Sequence, residues 1–344
     1  MNHFYTIKAA IVVVILFLLG AVTTVEASHI PGANITYSCN SGNPLRYTFR
    51  LTLFRRCPGT HPNTMRNTYF TLTNTCGLRN PTVPTFTQVG QPQDVNQLCN
   101  PSLSRCSGGT QPSVWRYTYE ATITLPAHCD SWNISYEICC RDASSNMLGG
   151  AGNRMHTSTM LNTRTAPCNS SPVITSAPIP YACTSTPFSY CLTTADPEGD
   201  SVAFRMVSPG GLNGNAIGHL AGFSRNAPLQ NFTLNPVTGC FSLNQPTTGN
   251  YVVAIAIDEF DGAGNLISTI IHDFQILVIN CSNVPPRNPS NSVLNISGSG
   301  TQTGPSSIYV CLGQSFCFDV VFSDTVNSSD VISITTDGTT LFPG

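Results

Sequence analysis

Apolar and polar side chains alternate with a period of two along the chain from Ile35 onward. The clearest stretches are 47–53, 115–125 and 132–138, in which aromatic or aliphatic residues occupy every second position. Such alternation places one face of a strand on a core and the other in water, as in antiparallel sheets. No window of the sequence has a sustained helical stripe. The pattern therefore predicts an all-β protein.

A second set of strand-like segments follows after about residue 167. It comprises 188–192, 201–206, 251–257 and 269–279. The last two are joined by residues 258–265, which are rich in Asp, Gly and Asn, and these residue types favour tight turns. We therefore expect the last two strands to form a hairpin.

The N-terminus has the features of a signal peptide. Lys8 precedes an apolar run over 9–22, which is shorter than the roughly 20 residues needed to span a bilayer. Residues 25–27 supply small or tolerated side chains before a cleavage point, so we expect residues 1–27 to be removed. An uncleaved anchor is the alternative. No other apolar run is long enough to cross a membrane, so we expect no span in the mature chain.

Composition narrows the class of protein. All 15 cysteines lie after residue 27, and the chain also has 25 prolines and 27 glycines, which is typical of a loop-rich, disulfide-stapled extracellular protein. A net charge of -2 offers no basic surface for nucleic acid. Lys8 is the single lysine, so the mature chain has none for Schiff-base chemistry or for a phosphate loop.

Breaks in composition divide the chain. Pro- and Ser-rich residues near 165–172 and a Pro-rich stretch at 285–289 read as boundaries. Segment 181–200 is echoed by 309–330, and each has two nearby cysteines, an apolar strand and an acidic turn. The residues from about 290 onward are too few for a sandwich of about 100, so we expect a fragment or a truncated copy of a longer repeat protein. The predicted organisation is a signal peptide (1–27), a Cys-rich β-domain (28–166), a cadherin- or immunoglobulin-like β-sandwich (167–283), and a linker with the truncated start of a further repeat (284–344).

Cysteine pairing is left open by the sequence. The eight cysteines between residues 28 and 166 allow 105 connectivities. The odd total predicts a free thiol or an intermolecular disulfide, and Cys168 is the candidate. Cys139 and Cys140 are expected to point to opposite faces of a strand end and to pair with different partners, because successive strand side chains alternate. A ring between the two is the alternative.

Acidic residues in two loops form the candidate site. Asp196, Glu198 and Asp200 are alternate residues of one turn, so their carboxylates can converge on a hard cation such as calcium. Asp258 and Asp261 of the expected hairpin, with Asn265 nearby, would complete the ligand set if both loops lie at one end of the sandwich. The sequence therefore predicts a calcium site, with a pair of solvated turns as the alternative.

Catalytic motifs are absent from the sequence. There is no His-Glu-x-x-His, no Gly-x-Ser-x-Gly and no Cys-x-x-Cys. His128, Cys129 and Asp130 are adjacent in sequence, but a catalytic triad needs convergence in space. We therefore predict that the protein is not an enzyme.

Aromatic residues provide the case for an alternative function. Trp115, Tyr117 and Tyr119 share one face of a predicted strand, and so do Trp132 and Tyr136. Exposed, these rings would stack on sugars, whereas the polar residues that alternate with them favour burial in a core. Exposure of Trp115 or Trp132 would favour glycan binding, and burial of both would favour a structural role.

Several segments resemble known families. The N-terminal part resembles the opening domain of large cell-surface proteins of gliding Bacteroidota, and the second part is similar to bacterial cadherin-like and immunoglobulin-like repeats. The first resemblance rests on Ser28–Ile30, Ile35–Tyr37, Arg55–Cys57, Gly108–Thr110, Thr122–Pro126 and Ser135–Arg141; the second rests on Ala195–Asp200, Asn235–Gly239 and Gly249–Val253. Relatives of this kind carry further repeats and a C-terminal sorting domain for type IX secretion. The resemblance implies roles in adhesion, motility or matrix.

The sequence thus predicts a non-enzymatic secreted or cell-surface protein that acts through tandem β-domains stiffened by calcium. Its partner would be a surface glycan or a protein, and neither is specified by the residues. The alternative is a glycan-binding module ancillary to an extracellular hydrolase.

Overall fold

The computed structural model describes residues 30–59, 64–96, 101–176, 181–281, 288, 293–304, 307–311 and 314–323. The predicted signal peptide, part of the linker after 281 and the residues after 323 lie outside the described residues. Helix in the described part is confined to one-turn 3-10 segments, at Asn67–Tyr69, Pro101–Leu103, Arg105–Ser107, Gly150–Gly152 and Leu212–Gly214. The predicted all-β class is confirmed, while the immunoglobulin- or cadherin-like identity stays a prediction.

The described part of the chain contains 22 β-strands. The first ten are β1 (Gly32–Asn40), β2 (Asn43–Arg56), β3 (Thr64–Met65), β4 (Phe70–Asn74), β5 (Phe86–Gln88), β6 (Gln93–Val95), β7 (Val114–Thr124), β8 (Trp132–Ile138), β9 (Met155–Leu161) and β10 (Val173–Ile174). The next eight are β11 (Tyr181–Cys183), β12 (Phe188–Cys191), β13 (Thr194–Ala195), β14 (Ser201–Met206), β15 (Thr233–Leu234), β16 (Cys240–Leu243), β17 (Gly249–Phe260) and β18 (Leu266–Ile279). The last four are β19 (Leu294–Gly298), β20 (Thr301–Gly304), β21 (Ser307–Tyr309) and β22 (Phe316–Asp319).

The strands that the alternating pattern predicts all form. β8 and β14 have the predicted bounds, β2 contains the predicted stretch 47–53, and β7 contains the predicted stretch 115–125 except for its last residue. β17 and β18 form the expected antiparallel hairpin, paired from Gly249 with Val278 to Phe260 with Leu266.

One large sheet runs through most of the described chain. Its central path is β3-β5-β7-β2-β1-β18-β9-β8-β4, with β6 on β7, β11 and β17 on β18, and β14 on β17. The β1–β2, β2–β7 and β8–β9 ladders are antiparallel, whereas β11 joins β18 in parallel. Small separate sheets are made by β10-β13, by β12-β16-β15, by β19-β22 and by β20-β21.

The core divides into two main clusters. The first draws on residues between 30 and 161 and includes Tyr47, Phe49 and Trp132, and the second draws on residues between 182 and 278. The predicted boundary at 166–167 falls between them. The large sheet nevertheless continues across that boundary, because β18 pairs with β1 and β9 as well as with β17.

Strand β18 and the first part of the chain meet closely enough to require a glycine. A Cβ on Gly32 would lie 2.6 Å from the carbonyl oxygen of Asp273. Polar contacts also join β18 and β17 to the first part of the chain. Arg141 pairs with Asp273, and Arg56 binds Asp142 and Asn250. We call this contact of β18 and β17 with β1, Arg56 and Arg141 the seam.

Six disulfides staple the described chain. They are Cys39–Cys168, Cys57–Cys106, Cys76–Cys129, Cys139–Cys140, Cys183–Cys281 and Cys191–Cys240. Cys311 and Cys317 are exposed and free, and Cys99 lies outside the described residues.

Two expectations about cysteines are wrong. Cys168 is not the unpaired cysteine, because the chain after β9 brings it back to Cys39 at the end of β1. Cys139 and Cys140 pair with each other rather than with different partners. Strand β8 ends at Ile138, so the alternation of side chains does not extend to these two residues.

Candidate cation site

Loop 196–200 is folded around one aspartate. Asp196 Oδ1 accepts hydrogen bonds from the backbone N–H of Glu198 (3.0 Å) and of Asp200 (2.8 Å), an Asx turn that fixes the carboxylate. Gly199 adopts a φ of 83°, which favours glycine. The turn follows β13 and leads into β14, so it places Asp196 and Asp200 at one end of the second core.

Glu259 approaches this loop from strand β17. Tyr251, Val253, Ile255 and Ile257 form the row of β17 that faces the second core, and Glu259 continues that row because strand side chains repeat every two residues. Its side chain is fully buried, at 0% exposure. Glu259 Oε1 accepts a hydrogen bond of 2.7 Å from Asn169 Nδ2.

The three carboxylates converge. One ligand oxygen each from Asp196, Asp200 and Glu259 lie within 4.8 Å of one another. None of the ion pairs between described residues includes any of the three. The cluster therefore brings three carboxyl groups together without a counter-charge among the described side chains.

Electrostatics reflect this crowding. Burial raises the pKa of Glu259 to about 8; the Asn169 bond opposes the rise, and the Asp196 and Asp200 carboxylates add to it. Burial and the charges of Asp196 and Asp261 raise the pKa of Asp200. Burial and the charge of Glu259 also raise the pKa of Tyr37, whose hydroxyl lies 3.5 Å from Asn169 Nδ2.

Of the five acidic residues that the sequence predicts, the structure brings Asp196 and Asp200 together. Glu198 turns away and accepts a hydrogen bond of 3.2 Å from the backbone N–H of Ser170. Asp258 and Asp261 also have other partners, which are described next.

Asp258 lies in the other row of β17. Its carboxylate receives Arg205 Nε at 2.5 Å and Nη2 at 3.2 Å, together with the Thr269 hydroxyl at 2.7 Å. Asp261 organises the tip of the β17–β18 hairpin, where Asn265 donates to it from backbone and side chain and lowers the pKa of its carboxyl. Both side chains thus have hydrogen-bond donors of their own.

Glu259 is the residue that reasoning from residue type alone missed. The signal was present, since counting in steps of two from Tyr251 places Glu259 rather than Asp258 in the row that faces the second core. A carboxylate at the end of an otherwise apolar row is an exception that calls for a partner.

The expectation that the aromatic rows form core is confirmed. Tyr117, Tyr119, Trp132 and Tyr136 are at most 3% exposed, and Trp115 is partly buried against the same cluster. The Trp132 indole donates to the carbonyl oxygen of Ala127 at 3.1 Å.

Comparisons with known proteins leave the chain without an assigned relative: no family model, no curated protein and no solved structure matches it. The resemblance to Bacteroidota surface proteins therefore stays a prediction from the motifs. In the part of the chain that the structure describes, no helix has the length and apolar character needed to cross a membrane.

Proposed function

We propose that the chain is a non-enzymatic structural or adhesion protein that is secreted or held at the cell surface and bears load through β-domains in series. The observation that carries this proposal is the position of two disulfides. Cys39–Cys168 spans 129 residues that contain the first core apart from Ile30 and the residues of β1, and Cys183–Cys281 spans 98 residues that contain the second core apart from Ala182. We call these two the terminal disulfides.

The terminal disulfides give each core a covalent bypass. Tension applied along the chain passes from Cys39 to Cys168 and from Cys183 to Cys281 through sulfur, so the residues between them need not extend. Each long closed loop also restricts the unfolded chain, which stabilises the fold. Disulfides form and persist in oxidising compartments, so the six disulfides of the described residues support an extracellular location.

Single-molecule stretching tests this proposal. Handles attached at Ser28 and Gly344 would pull the oxidised chain, and we expect neither long loop to extend. The variant Cys39→Ser/Cys168→Ser should release about 76 residues, because Cys76–Cys129 still bridges the middle of the opened loop. The expected gain is roughly 250 Å at about 3.3 Å per residue.

The matched control is Cys76→Ser/Cys129→Ser. This variant also removes one disulfide, but that disulfide lies inside the loop closed by Cys39–Cys168, so it should leave the extension unchanged. Full extension of the oxidised wild-type chain would overturn the load-bearing proposal.

A glycan-binding module ancillary to an extracellular hydrolase is the second candidate. A cavity of about 220 Å³ beside the seam supports it, with Arg50, Arg116, Asn34 and His272 among its lining residues. Such side chains hydrogen-bond to hydroxyl or carboxylate groups of sugars. Burial of Trp132 and the partial burial of Trp115 favour the structural role instead. Glycan-array binding that is lost in Arg50→Ala/Arg116→Ala would reverse this order.

A further inference from the structure

We propose that Asp196, Asp200 and Glu259 bind one divalent cation of the calcium class. Their ligand oxygens lie within 4.8 Å of one another. A cation with bonds of about 2.3–2.6 Å, the range for calcium, is able to bridge oxygens over that span. The loop and the strand that supply these ligands are thereby joined through a single ion.

Unpartnered atoms inside the cluster point to a ligand. Glu259 is 0% exposed, yet its Oε2 has no hydrogen-bond partner among the described residues, and the same holds for the buried Oδ2 of Asp196. The Ser268 hydroxyl lies near enough to Glu259 to lower the pKa of its carboxyl, but the two side chains do not have the distance and angles of a hydrogen bond. A buried carboxylate oxygen without a donor is costly, and coordination of a cation removes that cost.

The donor set selects the type of cation. All three side chains offer carboxylate oxygens, which suit hard cations rather than zinc or copper. The ligands come from an Asx turn and a strand end, and this irregular arrangement fits the flexible coordination of calcium better than the strict octahedron of magnesium. Backbone carbonyls and water would complete the shell.

Contacts around the cluster show what binding would do. Glu259 holds Asn169, and Glu198 holds the backbone of Ser170, so the loop and β17 both touch the segment between the two cores. A cation that fixes Asp196 and Asp200 to Glu259 would restrain this segment. That consequence rests on the proposed load-bearing function, whereas cation binding itself does not.

Calorimetric titration of the metal-free protein tests the site. Calcium chloride, and magnesium chloride in a parallel run, would be titrated into the full chain after treatment with chelator and dialysis. We expect one calcium site per chain and weaker binding of magnesium. Thermal melting with millimolar calcium should give a higher melting temperature than melting with chelator, because a ligand that binds only the folded state stabilises it.

Two variants separate this site from general acidity. Glu259→Gln retains an acceptor for Asn169 and removes one ligand charge, so it should fold. Its calcium affinity should fall at least tenfold, since loss of even an outer-shell partner weakens metal sites by about 10–100-fold. Glu198→Gln removes the same charge from the same loop, but Glu198 lies outside the cluster, so its affinity should stay within about twofold of wild type.

Absence of calcium heat together with an unchanged melting temperature would overturn the proposal. Equal losses in Glu198→Gln and Glu259→Gln would also overturn it, because the response would then report net charge rather than this cluster. Stretching of the oxidised chain is a separate measurement, so the site and the load-bearing role fail independently.

Discussion

Two arginine–carboxylate pairs of this molecule differ in how far their side chains are exposed to water. Arg50 and Glu120 face each other across the outer side of β2 and β7, with side chains 53% and 25% exposed. Arg141 and Asp273 meet in the seam, and both are 0% exposed. The first pair lies on the outer face of a sheet whose other face packs on the core. The second pair is enclosed by protein on every side.

This difference in exposure shows which polar side chains stabilise the fold. On β7 and β8, buried and partly exposed positions alternate, so polar residues remain in contact with water. On β17 and β18 most positions are buried, and charged or polar residues there must find partners from other strands. The seam is held by such partners, which makes it specific and also vulnerable.

Breaking the buried pair should have the largest effect. Arg141 Nη1 and Nη2 bind the two carboxylate oxygens of Asp273, and Nη2 also donates to the carbonyl oxygen of Gly210 at 3.2 Å. Arg141→Met would leave Asp273 buried without a counter-charge. We expect the free energy of unfolding to fall by about 3–5 kcal/mol, measured by denaturant titration.

The double variant Arg141→Met/Asp273→Leu is the control for this prediction. It removes both charges, and apolar replacements of a buried pair often restore stability. We therefore expect it to be more stable than Arg141→Met. A loss below about 1 kcal/mol in the single variant would mean that water reaches the seam.

Acidification should weaken the seam by a smaller amount. Burial lowers the pKa of His272 from 6.5 to about 4, and the ring Nδ1 lies 3.2 Å from Asn34 Nδ2 while the ring stacks on Phe274. His272 is thus neutral in the folded protein over a range in which the unfolded chain binds a proton. Its contribution is complete above pH 6.5 and is lost as the pH falls from about 6.5 toward 4.

The size of this effect follows from the shift. At about 1.4 kcal/mol per pKa unit, His272 would account for a loss of up to about 3 kcal/mol between pH 7 and pH 4. His272→Gln cannot titrate, so its stability should fall less steeply with acid in chemical denaturation at several pH values. Parallel curves for wild type and variant would show that His272 is solvated.

The contrast between the two regions also explains what the sequence predicted. Local alternation was enough to place β8 and to bury Trp132, because a half-buried strand carries its own pattern. The pairing of Arg141 with Asp273 joins residues 132 positions apart, and no local pattern encodes such a partner.

The candidate site shows the same limit. Asp196 and Asp200 were found because both lie in one short turn, where spacing along the chain approximates spacing in space. Glu259 was missed because β17 is buried on both faces, so the polar–apolar alternation that reveals a strand's orientation is weak there.

Removing the exposed pair should have the smallest effect on the free energy of unfolding. Arg50 Nε donates to Glu120 Oε1 at 2.7 Å, but water competes for both side chains. Arg50→Gln should cost about 0.2–1 kcal/mol, and the coupling energy from a double-mutant cycle with Glu120→Gln should fall with added salt. A salt-independent coupling near that of the buried pair would mean that another surface covers this face of β2 and β7, and the distinction between the sheet face and the seam would then disappear.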